Sequence, residues 1–184
     1  MLHLMKKLFL LLYLSLNVFA LETLVLGENS LSSNSKSRLE SISKHAIKLG
    51  HGTINKIYVF VDPMCPFSKK YISKISKSKT LQAVNSYYIF LYKLPKFNSN
   101  KLCQHIYQSQ NSLDTLQKIM VRNEKADIKT VVVDKKRQEA IDEIAKVGEE
   151  LKIEIRPYVM KFEKGSNYCI VSSGSAPCME EFDF

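Results

Sequence analysis

Cys65 lies in the stretch Val61-Asp-Pro-Met-Cys-Pro-Phe-Ser68. An apolar, β-branched and aromatic run, Ile57 to Val61, leads into it and reads as a buried strand. The residues that follow read as a helix from about Cys65 to Lys77. Pro63 and Pro66 bracket the thiol, and proline is tolerated in a first helical turn, where its missing N–H has no intrahelical partner. A cysteine at a strand-to-helix junction faces unpaired backbone N–H groups and the positive end of the helix dipole, and both favour thiolate over thiol. Lys69 and Lys70, one turn on, add to this. The thiolate is the nucleophile of disulfide exchange, so the local pattern builds a working thiol. The competing reading is a buried, inert cysteine. Ser68, three residues on, cannot serve as a second thiol.

Three other cysteines, Cys103, Cys169 and Cys178, complete the set of four. Four cysteines allow three full pairings, and spacing does not choose among them. Cys169 and Cys178 are nine residues apart across Gly174. A bridge between them would close a short loop and stabilise by about 2–3 kcal/mol on loop-entropy reasoning. With no C-x-x-C pair, and with His45, His51 and His105 out of ligand spacing with the cysteines, no metal site and no cofactor is expected.

The first 20 residues read as a signal peptide rather than as part of the fold. Lys6 and Lys7 stand at its start with no acid, Leu8 to Phe19 is apolar but short for a membrane span, and Val18-Phe-Ala20 supplies small residues for cleavage. Removal would leave 164 of the 184 residues, enough for one domain with a sizeable core, and would take two of the nine net positive charges. No later stretch is apolar enough to cross a bilayer. The expected location is the periplasm, an oxidising compartment in which each thiol is either paired or kept free for use. The lysines are scattered, without the stripe and stacking aromatics that nucleic-acid binding would need, so no nucleic-acid partner is expected.

The elements that must position Cys65 follow from periodicity. Residues 29–37 read as a linker. Leu39, Ile42, Ala46 and Leu49 fall at helical spacing and Gly50 ends the run. Ser86 to Tyr92 gives a second strand, closed by Pro95. Residues 101–122 read as helix divided near Asn111 and Ser112. Residues 134–151 form another helix, with Asp134 as its N-cap. Thr130 to Val133 is a short extended piece or a helix start. Pro157 to Phe162 and Tyr168 to Ser172 read as two strands about a turn at Glu163 to Gly165, and Ser175-Ala-Pro177 opens a short terminal helix.

The segment Val59-Phe-Val-Asp-Pro-Met-Cys-Pro-Phe-Ser-Lys-Lys70 resembles the active-site segment of thioredoxin-fold proteins, specifically the periplasmic disulfide isomerase and oxidoreductase group (DsbC/DsbG-like). Leu94-Pro95 with His105-Ile-Tyr107 resembles the start of that group's helical insertion, and Ile155-Arg-Pro-Tyr-Val159 resembles its cis-proline loop. The resemblance covers roughly residues 50–182. It implies an α/β thioredoxin-like fold with a helical insertion, about 97–151, between the second strand and the cis-proline strand. The expected organisation is a signal peptide at 1–20, a linker and helix at 21–50, and the thioredoxin-like domain at 51–184.

The resemblance also implies roles. Cys65 is the expected nucleophile, and Ser68 holds the place of the missing resolving thiol, close enough to donate a hydrogen bond to it. Pro66, Phe67, Arg156 and Pro157 are expected to shape client binding, with Pro157 cis and the Arg156 guanidinium beside Cys65. Arg156 departs from the small or β-branched residue usual there. Cys103 is the candidate resolving thiol, because the insertion packs near the active site in this group. The expected activity is thiol–disulfide oxidation, reduction or isomerisation on protein clients with cysteines, with a membrane thiol reductase or a small thiol as redox partner. The alternative is a redox-poor binding module or chaperone that holds thiol-bearing clients or belongs to an envelope assembly. Residues 21–50 are too few for the dimerisation domain of the group's isomerases.

Overall fold

The computed structural model describes residues 34–162 and the strand residues 169–173. Its centre is one five-stranded sheet in the order β1-β3-β2-β4-β5. The strands are β1 (Ile47–Leu49), β2 (Asn55–Val61), β3 (Asn85–Leu91), β4 (Tyr158–Phe162) and β5 (Cys169–Ser173). β2 and β3 are parallel, with Val61 opposite Leu91, while β1, β4 and β5 join antiparallel. Parallel neighbours require a crossover. That crossover is α2 (Pro66–Lys77) followed by α3 (Lys79–Val84).

β2 is buried on both faces, and its period of two divides the core. Ile57, Val59 and Val61 join Ile72, Ile75, Ile89, Leu116 and Ile141 on one side. Tyr58 and Phe60 join Leu39, Phe90, Ile144 and Met160 on the other. An unbroken apolar strand is what a sheet covered on both faces demands. The covering helices are α2, α1 (Ser35–Ser41) and three helices between β3 and β4: α4 (Asn100–Gln108), α5 (Ser112–Met120) and α6 (Lys135–Glu150).

Local chemistry sets several of these ends. Asp134 caps α6, its carboxylate accepting the Arg137 N–H at 2.9 Å. Asn111 caps α5 in the same way through Asp114, which is why helix 101–122 divides there. Ser78, in extended conformation, ends α2 and caps α3 through Leu81.

The expected helix through Leu49 is corrected. Helical turns end at His45, and Ile47 to Leu49 form an edge strand paired with Tyr87 to Ile89. Ile47 and Leu49 are buried and Lys48 is exposed, so the period of two wins once β3 offers backbone partners. Residues 130–133 adopt neither strand nor helix. The expected terminal helix lies outside the described residues.

Candidate functional site

Val61 ends β2, and Cys65 is the N-cap residue of α2 with Pro66 directly after it. The four residues between strand and helix are therefore held as a tight loop, and Asp62 holds them. Its backbone carbonyl accepts the Cys65 N–H at 3.0 Å. Its carboxylate, 0% exposed, accepts the Met64 N–H at 2.8 Å, the Leu94 N–H at 2.6 Å and the Ser99 hydroxyl at 2.9 Å. A buried carboxylate needs such donors. Here they come from the Cys65 loop, from the segment after β3 and from the start of α4. One side chain thus ties the thiol loop to the helical insertion. Sequence reading missed Asp62, although an acid directly after an apolar run was its visible signal.

Cys65 is 2% exposed. Its thiol donates to the Arg156 carbonyl, with Sγ 3.6 Å from the oxygen. The Arg156–Pro157 peptide bond is cis, and Tyr158 begins β4 immediately afterwards. The sequence-distant segments at 62–68 and 155–158 thus meet at one sulfur. Met64, Phe67 and Ile155 flank this meeting point and are 42%, 49% and 52% exposed. Large apolar side chains left this open form a surface that another molecule can cover. Phe67 was expected there, while Met64 and Ile155 were not.

Comparison of the whole chain with known proteins agrees with this architecture. No protein-family model matches the chain, and no curated protein matches it. Solved structures do. A disulfide interchange protein from Neisseria gonorrhoeae matches over 76% of this chain and 94% of its own, with 21% identity and a TM-score of 0.56. Proteus mirabilis ScsC in a compact conformation matches over 92% and 86%, with 12% identity and a TM-score of 0.59. Helicobacter pylori DsbG matches over 70% and 62%, with 18% identity and a TM-score of 0.55. The fold is thioredoxin-like.

Within this thioredoxin-like frame, three of the expected site residues behave in ways their types did not announce. The Arg156 guanidinium makes its hydrogen bonds to backbone carbonyls, with Cys65 within reach of its charge. It is 3% exposed and donates to the carbonyls of Tyr92, Lys93 and Ile153 at 3.2, 3.1 and 3.0 Å. It also stacks on the Tyr92 ring, 3.6 Å from its centroid. Burial pulls its pKa down. Arg156 therefore clamps the segment after β3 to the cis-proline loop, and its backbone carbonyl is what meets Cys65. Gly148 of α6 lets the Tyr92 ring lie in place, since a Cβ there would collide with it.

Ser68 is fully buried, and its hydroxyl oxygen accepts the Asp62 N–H at 3.3 Å. The hydroxyl thus helps to brace the Asp62 loop. Cys103, in α4, is also fully buried and is a free thiol, as is Cys65. Burial, and then the nearby Asp62 charge, push the Cys103 thiol up to about 12. A thiol held protonated in the core does not fit the resolving role expected of it. Of the cysteines expected to pair, Cys169 begins β5 and Cys178 lies outside the described residues, as does their bridge. Among the described residues no cluster of histidine, cysteine and acidic side chains could hold a metal ion.

Proposed function

We propose that the protein is an exported thiol–disulfide oxidoreductase or isomerase that acts on protein clients through Cys65 alone. The observation that carries this reading is the meeting of the Cys65 thiol with the Arg156 carbonyl at a cis-proline, on the first turn of a helix. An extended client segment pairing along the Arg156–Pro157 backbone would bring its disulfide to Sγ, with its apolar neighbours on Met64, Phe67 and Ile155. The Cys65 thiolate attacks one client sulfur, a mixed disulfide forms, and the other client sulfur leaves as a thiolate. Ser68 cannot break that adduct. In isomerisation a second client thiol attacks it, and no net electrons are transferred. In reduction, two molecules of a small thiol supply two electrons: one releases the client, and the other completes the small-thiol disulfide. Cys65 is regenerated in both cases.

Export to the periplasm rests on the sequence of the first 20 residues. Among the described residues no helix is long and apolar enough to cross a membrane. The buried serine at position 68 also favours a second reading, in which slow release makes the protein a holder of thiol-bearing clients. Insulin reduction with an added small thiol separates the two. The enzyme reading expects turnover that depends on the small thiol and disappears in Cys65→Ala. It further expects Ser68→Cys to form an oxidisable pair with Cys65, so that the client is released without the small thiol, which is then needed only to reduce that pair again. Undiminished turnover in Cys65→Ala would reject the enzyme reading. Long-lived Cys65 adducts that added thiol does not release would support holding.

A further inference from the structure

We propose that a cleft at the β1 edge of the sheet binds a small amphipathic anion, a phosphate or carboxylate carrying an apolar body. The cleft is a cavity of about 460 Å³, formed where the turn before β1, β1 itself, the start of α5 and the first turn of α6 converge. That volume falls in the range of small-molecule sites. It shares none of the residues around Cys65, and the inference does not depend on the thiol chemistry.

Charge is the first argument. Lys44, His45, Lys48, Lys136 and Arg137 line the cavity, and no acidic residue is among its lining. The acids nearby are too few to balance them. Glu143 serves both Lys44, at 3.0 Å, and His45, at 2.8 Å, and Asp134 lies 3.5 Å from Arg137. Lys48 and Lys136 form no ion pair among the described residues. The Lys48 ammonium lies 5.3 Å from the Tyr88 ring centroid, a contact that leaves its charge unneutralised.

Placement is the second argument. α6 opens with Lys135, Lys136 and Arg137, and its first turn contains no acid. Cations at a helix N-terminus oppose the helix dipole, which favours anions there. The Asp134 cap supplies one carboxylate there, against the three cations that follow it. Such local conflict with the fold's own preference is expected at functional sites. An anion in the cleft would offset the remaining cations, meeting the ammonium groups beside the capped starts of α5 and α6.

The floor gives the ligand its second property. Ile47, Leu113 and Ala140 line it, together with Tyr107. The Tyr107 hydroxyl is already engaged, accepting the Leu91 N–H at 3.3 Å, so its ring is what it offers. Inorganic phosphate would satisfy the rim and leave this floor uncovered. An anion with an aromatic or aliphatic body would cover both.

Calorimetric titration of the purified full chain with phenyl phosphate tests the proposal. One-to-one binding is expected, at least about tenfold tighter than inorganic phosphate and weakened by salt. The double substitution Lys48→Gln/Lys136→Gln, with its circular dichroism unchanged, is expected to weaken it at least tenfold. Absence of saturable binding, or equal affinity in the double variant, would overturn the proposal. Vesicles of anionic phospholipid form a second arm. If they bind, phenyl phosphate does not, and the same variant loses them, the occupant is a lipid headgroup and the small-molecule assignment is wrong.

Discussion

The thiols of Cys65 and Cys103 differ little in exposure, at 2% and 0%, yet they occupy opposite chemical situations. Cys65 stands where a strand ends and a helix begins, with a backbone carbonyl as its acceptor. Cys103 sits inside α4, among the apolar side chains under the sheet. One carboxylate touches both cases. Asp62 holds the Cys65 loop through hydrogen bonds, while its charge opposes ionisation of Cys103. Burial alone therefore does not distinguish a working thiol from a structural one. What distinguishes them is which groups face the sulfur and whether another chain can reach it.

The comparison breaks most readily under alkylation. Cys65 is expected to react with iodoacetamide in the folded protein. Cys103 is expected to react only through opening of the core, on the order of a thousandfold more slowly. Cys103→Ala should accordingly keep thiol-dependent turnover within about twofold, because a residue outside the chemistry contributes little to it. Peptide mass spectrometry after timed alkylation reads the first expectation and insulin reduction the second. Comparable labelling of the two thiols, or loss of turnover in Cys103→Ala, would restore Cys103 as a resolving thiol.

A smaller effect is expected from Asp62→Asn. The amide keeps one acceptor oxygen but turns an N–H₂ toward donors that need an acceptor, either Met64 N–H or the Leu94 N–H and Ser99 hydroxyl pair. Leaving buried donors unmade costs roughly 1–3 kcal/mol each, so urea unfolding should show a loss of about 3 kcal/mol. The same substitution removes a charge that raises the Cys103 pKa, which should fall. A stability change below about 0.5 kcal/mol, the range of an ordinary surface substitution, would mean that Asp62 does not tie the thiol loop to the insertion.

How far the sequence carries can be judged from these residues. The junction at Cys65 was legible because strand, proline and helix are contiguous, and each has a local physical signature. The Asp134 cap and the break at Asn111 were legible for the same reason. β1 was not, because Leu39, Ile42, Ala46 and Leu49 fit a helical period and only the β3 backbone decides between the two. α3 was passed over as well, being six residues long and started by the Ser78 cap. Arg156 shows the sharper limit. Its proximity to Cys65 followed from the resemblance, but its acceptors on residues 92, 93 and 153 are fixed only by the fold. Asp62 was hidden likewise, since two of its donors lie more than thirty residues away.

The last contrast between the thiols is in how stability depends on pH. The Cys103 value in the folded chain, about 12, lies above its ordinary value of 9.0. Between these values the folded chain keeps a proton that the unfolded chain has released. Stability is therefore undiminished by this group below about pH 9 and falls as pH rises toward 12. Tyr58 and Tyr107 are also raised by burial, and their slopes have the same sign, but they begin only near the ordinary tyrosine value of 10.0. The window from pH 8 to pH 10 is thus mainly the thiol's. Urea unfolding at those two values should show the wild type losing on the order of 1 kcal/mol more than Cys103→Ala does. Subtracting the variant removes whatever the two chains have in common. Equal losses in the two proteins would mean that Cys103 ionises as freely folded as unfolded, and the distinction drawn between the two thiols would fail.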